Sequence, residues 1–523
     1  MLLMRRTLIA LTIPLLVLFA SPLFASGEKE QAGGTGGTDE VYEFSYAWGP
    51  WNATERIPTD EQSEDPFYQY IAEEVGAVPQ TTTWEWEGGS GYVQGLRLAL
   101  AGGEEFDAIM PWNPSLAREL VNQDIAIPLG DLLDEHGPNV RDAFTDEQWS
   151  QIRTSQGGTI HYLPQYQHKM STRAGFIRKD WLERVGMDVP ETKEELLEVY
   201  RAFKEQDANG NGDPNDEIPV SGRQGFRWFD DLFIMHGVSM FEGHPQWRWN
   251  EEEGIFESDQ VSDEMFNAVK FIKRLYDEGL MDQTMPTQPN SEWTSKLNAG
   301  RIGHYFHLFA FVHTKSSFAF QNNDDPTGLD HWTVMPQPPQ VEGMDRQNYY
   351  YPVVGRPYFM ITKWADQPEK IMEWFDWGSS PEGNIYGQLG IPGEHWRRTD
   401  DGGIEVMEQV QRDYTFRVGF RRYVPDLFRR SPMGEVKVQM LEKTLPHLDD
   451  TQNMMMPPSV YEGHEDFAPS NATFYREALG NFITGEWELT RERWEEYKQE
   501  WYDRGGEIVT ERATEWYKDF HGE

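Results

Sequence analysis

Polar and apolar residues alternate over 41–47, as in a strand with one buried face, and Trp48-Gly49-Pro50-Trp51-Asn52 then breaks the alternation into a loop. Helical spacing of apolar positions follows at 66–75, a second strand is predicted at 81–86, and a helix at 92–101 stops at Gly102-Gly103. Phe106-Asp107-Ala108-Ile109-Met110 reads as a short buried strand delivering Trp112 and Asn113. Strands that alternate with helices predict an α/β fold with a largely parallel sheet. Tyr162-Leu163-Pro164 is extended and marks a crossing between lobes, after which 175–178 is predicted as strand and 179–185 as helix. Thr192, three residues before Glu195, sets a capping box for a helix reaching about Gln206. Further helices are predicted at 265–278, 293–299, 368–377, 491–502 and 509–520. A strand at 301–305 should deliver Phe306 and His307, and 332–335 and 351–362 should be extended.

The ends and the charge change this picture. Arg5 and Arg6 precede an apolar run over 8–20, and Leu23-Phe24-Ala25 offers a cleavage site, so residues 1–25 read as a secretory signal peptide. Residues 26–40 hold Gly, Thr, Gln and charge with nothing to bury, and are expected to be a flexible leader. Roughly 480 residues remain, more than one core usually holds, so at least two lobes are expected. There is no cysteine, so stability must come from burial and from any bound metal rather than disulfides. A formal net charge of −42 repels polyanions and argues against nucleic acid, which needs Lys and Arg to neutralise phosphate. Such acidity suits solubility at high concentration or in saline surroundings.

The sharpest local signal lies at 207–220, Asp-Ala-Asn-Gly-Asn-Gly-Asp-Pro-Asn-Asp-Glu-Ile-Pro-Val. Side-chain oxygens recur at Asp207, Asn209 and Asn211, a spacing that lets a tight loop point alternate residues at one hard cation, while Gly210 and Gly212 permit the turn. Asp213 can offer its carbonyl, and Asp216 and Glu217 close the cage. A regular EF-hand carries glutamate at its twelfth position; here an Asp-Glu pair stands at the tenth and eleventh. The alternative is a solvated turn, since turns favour Asn, Asp and Gly. The expectation is a structural Ca2+ that ties the preceding helix end to 218–221.

Gly175-Phe176-Ile177-Arg178-Lys179-Asp180-Trp181-Leu182, then Gly186, Pro190-Glu191-Thr192 and the loop ending Asp216-Glu217-Ile218-Pro219, resemble the extracellular solute-binding proteins of ABC importers. The likeness is to their larger oligosaccharide and alginate-type branch. Ser380-Pro381-Glu382-Gly383, Gly390-Ile391-Pro392-Gly393-Glu394-His395-Trp396 and 485–506 are similar to the family's second half and C-terminus. Two departures stand out: the loop is one residue longer between Gly212 and Asp216, and the lipid-anchoring cysteine of many such proteins is missing. The resemblance implies an α/β, two-lobed periplasmic-binding-protein fold, type II-like, with a hinge and a central cleft. It places an N-terminal lobe at 41–163 plus about 355–430 and a C-terminal lobe at 164–354 plus about 431–523. It also implies capture of a solute, above all an oligosaccharide, and delivery to ABC permease subunits, without catalysis. The signal peptide and the absence of an anchoring cysteine lead to the expectation of an unanchored periplasmic protein, and monomer is the default for one that must diffuse to a permease.

In open α/β sheets ligands lie beyond the carboxyl ends of strands, and the loops there are aromatic in this chain. Trp48 and Trp51, Trp112 and Asn113, Trp228 and Asp230, and Phe306 are the candidates, with Arg356 as a multiple donor. A sugar has an apolar C–H face and a hydroxyl edge, which flat rings and polar side chains match. The rivals are a secreted carbohydrate enzyme, which needs two facing carboxylates, and a binding protein for peptide or another solute. Gly88-Gly89-Ser90-Gly91 lacks the final glycine of a nucleophile elbow, and the His-Glu-x-x-His zinc motif does not occur.

Overall fold

The computed structural model describes residues 41–49, 64–86, 89–167, 172–213, 215–223, 225–308, 331–344, 349–350, 357–407, 419–430, 434–449 and 456–521. Its two main sheets are built from β1 Tyr42–Ala47, β2 Ala77–Thr82, β3 Ala108–Ile109, β4 Leu163–Pro164, β5 Arg173–Arg178, β6 His304–Leu308, β7 Trp332–Met335 and β8 Tyr358–Ile361. The first has the order β2-β1-β3-β8-β4, and the second β6-β5-β7. Strands β1, β2 and β3 are parallel, but β8 is antiparallel to both β3 and β4, and the whole second sheet is antiparallel. The expectation of a largely parallel sheet therefore holds only for β1–β3. The strands that depart from it arrive from distant parts of the chain, which helix–strand alternation cannot foresee.

Local signals set most helices. Pro66–Val75 begins behind Asp65, whose carboxylate accepts from the Phe67 N–H, and ends at Gly76 in the left-handed region at φ 69°. Lys193–Glu205 carries the predicted capping box, with Thr192 and Glu195 each satisfying the other's backbone amide. Strand β2 begins straight after Gly76, four residues earlier than alternation suggested. Ala77 and Val78 are buried, and Pro79 is tolerated because β2 is an edge strand that needs no N–H at every rung. Strand β6 likewise starts three residues later than expected, because Arg301 and Ile302 are engaged in pairing with Ile218.

Buried residues form two large cores. One gathers residues 44–163 with 358–420 around Phe44, Tyr46, Phe359, Trp374 and Phe375. The other gathers 174–306, 332–334 and 423–513 around Phe176, Tyr305, Trp332, Phe482 and Trp501. Each fully buried aromatic contributes roughly 2–3 kcal/mol of gross transfer free energy, so with no cysteine these rings carry the stability. The chain passes between the cores at three places that lie side by side. Gln165 N–H donates to the Pro357 carbonyl at 3.0 Å, Arg421 N–H to that of Gln165 at 2.9 Å, and Gln167 N–H to that of Arg421 at 2.9 Å. The Gln167 side chain donates to Ala143 and accepts from the Tyr423 N–H, so this ladder touches both cores. It is where a hinge belongs.

The Arg178-Lys179-Asp180-Trp181 stretch is explained by packing. The Arg178 guanidinium lies over Trp181 at 5.1 Å and Trp332 at 5.6 Å, and pairs with Asp180, which also meets His331. Gly175, ahead of it, has no room for a Cβ: one would collide with Asp231, Met335 and His304.

Candidate functional site

Beyond the shared carboxyl ends of β1, β2 and β3 stand four half-buried tryptophans, Trp48, Trp84, Trp86 and Trp112. Sheet bonds carry two of these ends outward: the Trp48 N–H donates to the Thr82 carbonyl at 3.0 Å and the Met110 N–H to that of Ala47 at 2.9 Å. The Tyr92 hydroxyl binds the Ala47 and Met110 carbonyls at 3.0 and 2.8 Å, locking the β1 and β3 ends together, and burial pushes its pKa upward. Trp86 and Trp112 meet edge to face at 4.5 Å, and Trp84 packs on Tyr92 and Phe106. Two glycines make room: a Cβ on Gly89, at φ 96°, would collide with Trp112, and one on Gly49 would press on Trp86. Trp84 and Trp86, predicted to lie within a strand at 81–86, instead follow a strand that ends at Thr82, and that position beyond a strand end is the signal that makes them candidates.

Asn113 caps Pro114–Asn122 by accepting from the Leu116 N–H at 2.9 Å, which leaves its amide nitrogen for other work. Trp51 and Arg356 lie outside the described residues.

On the other core, the hairpin at 223–228 presents Trp228. Arg223 and Arg227 pair through N–H to carbonyl bonds of 2.9 and 3.2 Å, Gly225 has φ 72°, and Phe226 and Trp228 themselves have φ 56° and 72°. Bulky side chains rarely adopt that region, at a cost of order 1–3 kcal/mol, so the turn is held by its surroundings. The Phe306 N–H donates to the Trp228 carbonyl at 2.8 Å. Arg223 lies 4.7 Å over the Trp228 ring, with His307 at 4.3 Å and Trp293 at 4.7 Å around it. The ring is half-buried and belongs to a stack of cation and aromatics.

Of the expected contact residues, Phe306 and Asp230 are only 2% and 1% exposed, so the structure places them inside the second core. Phe306 lies inside β6 rather than in a loop after it. Asp230 accepts from the Gly243 N–H at 3.0 and 3.1 Å and so holds the tip of the Met240–Phe241 and His244–Pro245 hairpin. Burial, aided by Asp231 and Glu242 and opposed by Gly243 and Arg173, pushes its carboxyl up to about 7. Asp231 lies 2.8 Å from His304, both fully buried, and His304 bonds to the Tyr200 hydroxyl. The two adjacent aspartates thus face inward.

The 207–217 loop is ordered by its own side chains. Asp207 accepts from the Gly212 N–H at 3.0 Å, Asn209 from that of Asn211 at 2.9 Å, and Asn211 from that of Asp213 at 2.7 Å. Asp216 takes the Asn209 and Asn211 amides at 2.7 and 3.1 Å. Arg301 donates to the Asp216 carbonyl at 3.0 Å, and Arg184 to that of Ala208. Among the described residues no group of three His, Cys, Asp or Glu side chains has metal-holding geometry, and the loop's donors are a mixture of carboxylates, amides and backbone. Yet Glu217 is 1% exposed with its Oε2 lacking a hydrogen-bond partner, as does the buried Oδ1 of Asp207. Burial, with Asp216 and Asp207 nearby, raises the Glu217 pKa. Two buried oxygens without donors are what a cation at the loop centre would satisfy.

A family model described as bacterial extracellular solute-binding protein matches residues 59–385. The fructooligosaccharide ABC transporter substrate-binding protein FusA of Streptococcus pneumoniae serotype 4 is 27% identical over 272 residues, 49% of this chain and 48% of that protein, so the alignment spans about half the relative's length. Over the whole molecule, an EF-hand mutant of S. pneumoniae FusA in complex with fructo-nystose has a TM-score of 0.68 at 18% identity, covering 92% of this chain and 99% of that one. Alginate-binding protein AlgQ2 without calcium ion gives 0.67 at 16%, with the same coverage. These solved structures share the two-lobed fold.

Proposed function

The chain belongs to the bacterial extracellular solute-binding protein family, and on that footing we propose that it captures an oligosaccharide between its two lobes and hands it to the permease of an ABC importer. The two buried cores are the two lobes of this reading, and the three crossings their hinge. One observation carries it: the four half-buried tryptophans beyond β1–β3, apolar rings placed where ligands of α/β sheets lie. On this reading Asn113 would supply a polar edge, and Trp228 with Arg223 a second aromatic surface on the other core. Closure of the lobes would bury the solute from both sides and present one shape to the membrane partner.

The chain is proposed to bind without catalysis, as its relatives named for substrate binding do. Export through the 1–25 leader into a periplasm, and action as a monomer, complete the proposal. Among the described residues no helix is long and apolar enough to cross a membrane.

Ca2+ is proposed at Asp207, Asn209, Asn211, Asp213, Asp216 and Glu217, supported by the unsatisfied Glu217 and Asp207 oxygens. A bound ion would neutralise carboxylates that raise one another's energy, Asp207 and Asp216 acting on Glu217; the residues themselves fix the loop and its exit strand.

A thermal-shift screen of neutral oligosaccharides, uronate oligomers and peptides tests the reading, because a true solute raises the melting point by mass action. A shift with peptides alone would overturn it.

A further inference from the structure

The cation loop and the Trp228 hairpin are two ends of one stretch of backbone. Residues 216–223 lie against the stretch that becomes β6: the Ile218 N–H donates to the Arg301 carbonyl at 2.8 Å, the Gly303 N–H to that of Ile218 at 2.9 Å, and the Ser221 N–H to that of His304 at 3.1 Å. Beyond the 223–228 turn the same strand closes the path, with the Phe306 N–H on the Trp228 carbonyl at 2.8 Å. The other flank of 216–223 is held too. Val220 bonds with Leu280 and Asp282, and the Ser221 hydroxyl meets the Asp282 carboxylate at 2.8 Å. Glycines seal the packing: a Cβ on Gly303 would press on Pro219 and Trp181, and one on Gly222 would collide with the Arg227 carbonyl. A shift of the loop exit along the strand therefore has no slack in which to disappear before it reaches Trp228, whose strained φ depends on those neighbours.

At the loop end, Arg301 holds the Asp216 carbonyl at 3.0 Å and approaches its carboxylate at 3.6 Å, so the cation's own ligand is joined directly to the segment that leads into β6. We propose that cation occupancy at the 207–217 loop and solute affinity at Trp228 are coupled through residues 216–223 and 301–306. The inference rests on the proposed function, because it assigns a regulator to that site. Coupling of this kind is reciprocal: if the cation tightens solute binding, the solute tightens cation binding by the same factor, here on the order of fivefold or more.

The test uses the whole chain after the leader and the oligosaccharide that gives the largest thermal shift. Its affinity is titrated in calcium chloride and in EGTA, and calcium affinity is titrated with and without the sugar. Equal factors of about fivefold or more in both directions support the coupling. Unchanged sugar affinity in the two buffers overturns the coupling and leaves the binding function intact, whereas no carbohydrate binding in either buffer overturns both. Glu217→Gln should bind the sugar in calcium as the parent does in EGTA. Should that variant fail to fold, Asn209→Ala, at a half-exposed position, offers the same comparison.

Discussion

Replacing Asp230 by Asn asks whether a carboxyl among acids and one arginine is neutral in the folded protein. Its side chain is buried, with Arg173, Asp231 and Glu242 around it, and its pKa is pushed from the ordinary 3.8 up to about 7. An acid with a raised folded pKa stays protonated in the fold while the unfolded chain ionises, so the unfolded state binds fewer protons and stability falls as pH rises from about 4 to about 7. At about 1.4 kcal/mol per unit over roughly three units, the penalty reaches on the order of 4 kcal/mol at and above neutrality. Asn keeps an oxygen for the Gly243 N–H and removes the ionisation, while Arg173 retains Glu242. The variant should therefore be a few kcal/mol more stable than the parent near pH 8, with the gap closing towards pH 4. Urea midpoints followed by tryptophan fluorescence across that range measure it. Solute affinity should change little, because Asp230 supports a hairpin from inside the core. An Asn variant less stable than the parent at pH 8, or a gap that ignores pH, would mean an ionised carboxylate held by Arg173 and would refute the reasoning.

Trp112→Ala and Trp86→Ala should each weaken oligosaccharide binding about tenfold, the loss of one aromatic contact of roughly 1.4 kcal/mol, with the melting point checked separately because both rings also pack on the first core. Calorimetric titration decides; unchanged affinity in both would remove these rings from the site. Calcium should raise the parent's melting temperature and leave that of Glu217→Gln unmoved, since the Gln side chain removes the charge that the buried Oε2 offers. Gly222→Ala should destabilise by about 1–3 kcal/mol, read by denaturation, because its Cβ has the Arg227 carbonyl in its way.

Much of this molecule was legible in short stretches of sequence. The helices at Pro66–Val75, Lys179–Val185 and Pro368–Trp377 fall where apolar spacing put them, and Thr192 and Glu195 form the capping box their spacing announced. The Arg178 to Leu182 stretch and its companions are enough in themselves to point to the family. Strand ends were harder to read. Trp84 and Trp86 lie beyond β2 rather than within it because β2 ends at Thr82, an outcome set by Gly76 turning the chain straight into an edge strand beside β1.

The chain by itself determined its local elements, its family and the oxygen-rich, glycine-punctuated pattern of the 207–217 loop, because caps, turns and alternation act over a few residues. Only the tertiary structure decided that β4 and β8 join the β1–β3 sheet, that Phe306 and Asp230 face inward, and that Ile218 pairs with Ile302. Those choices depend on which distant surfaces close on one another, and burial is a property of the packed whole rather than of any single segment.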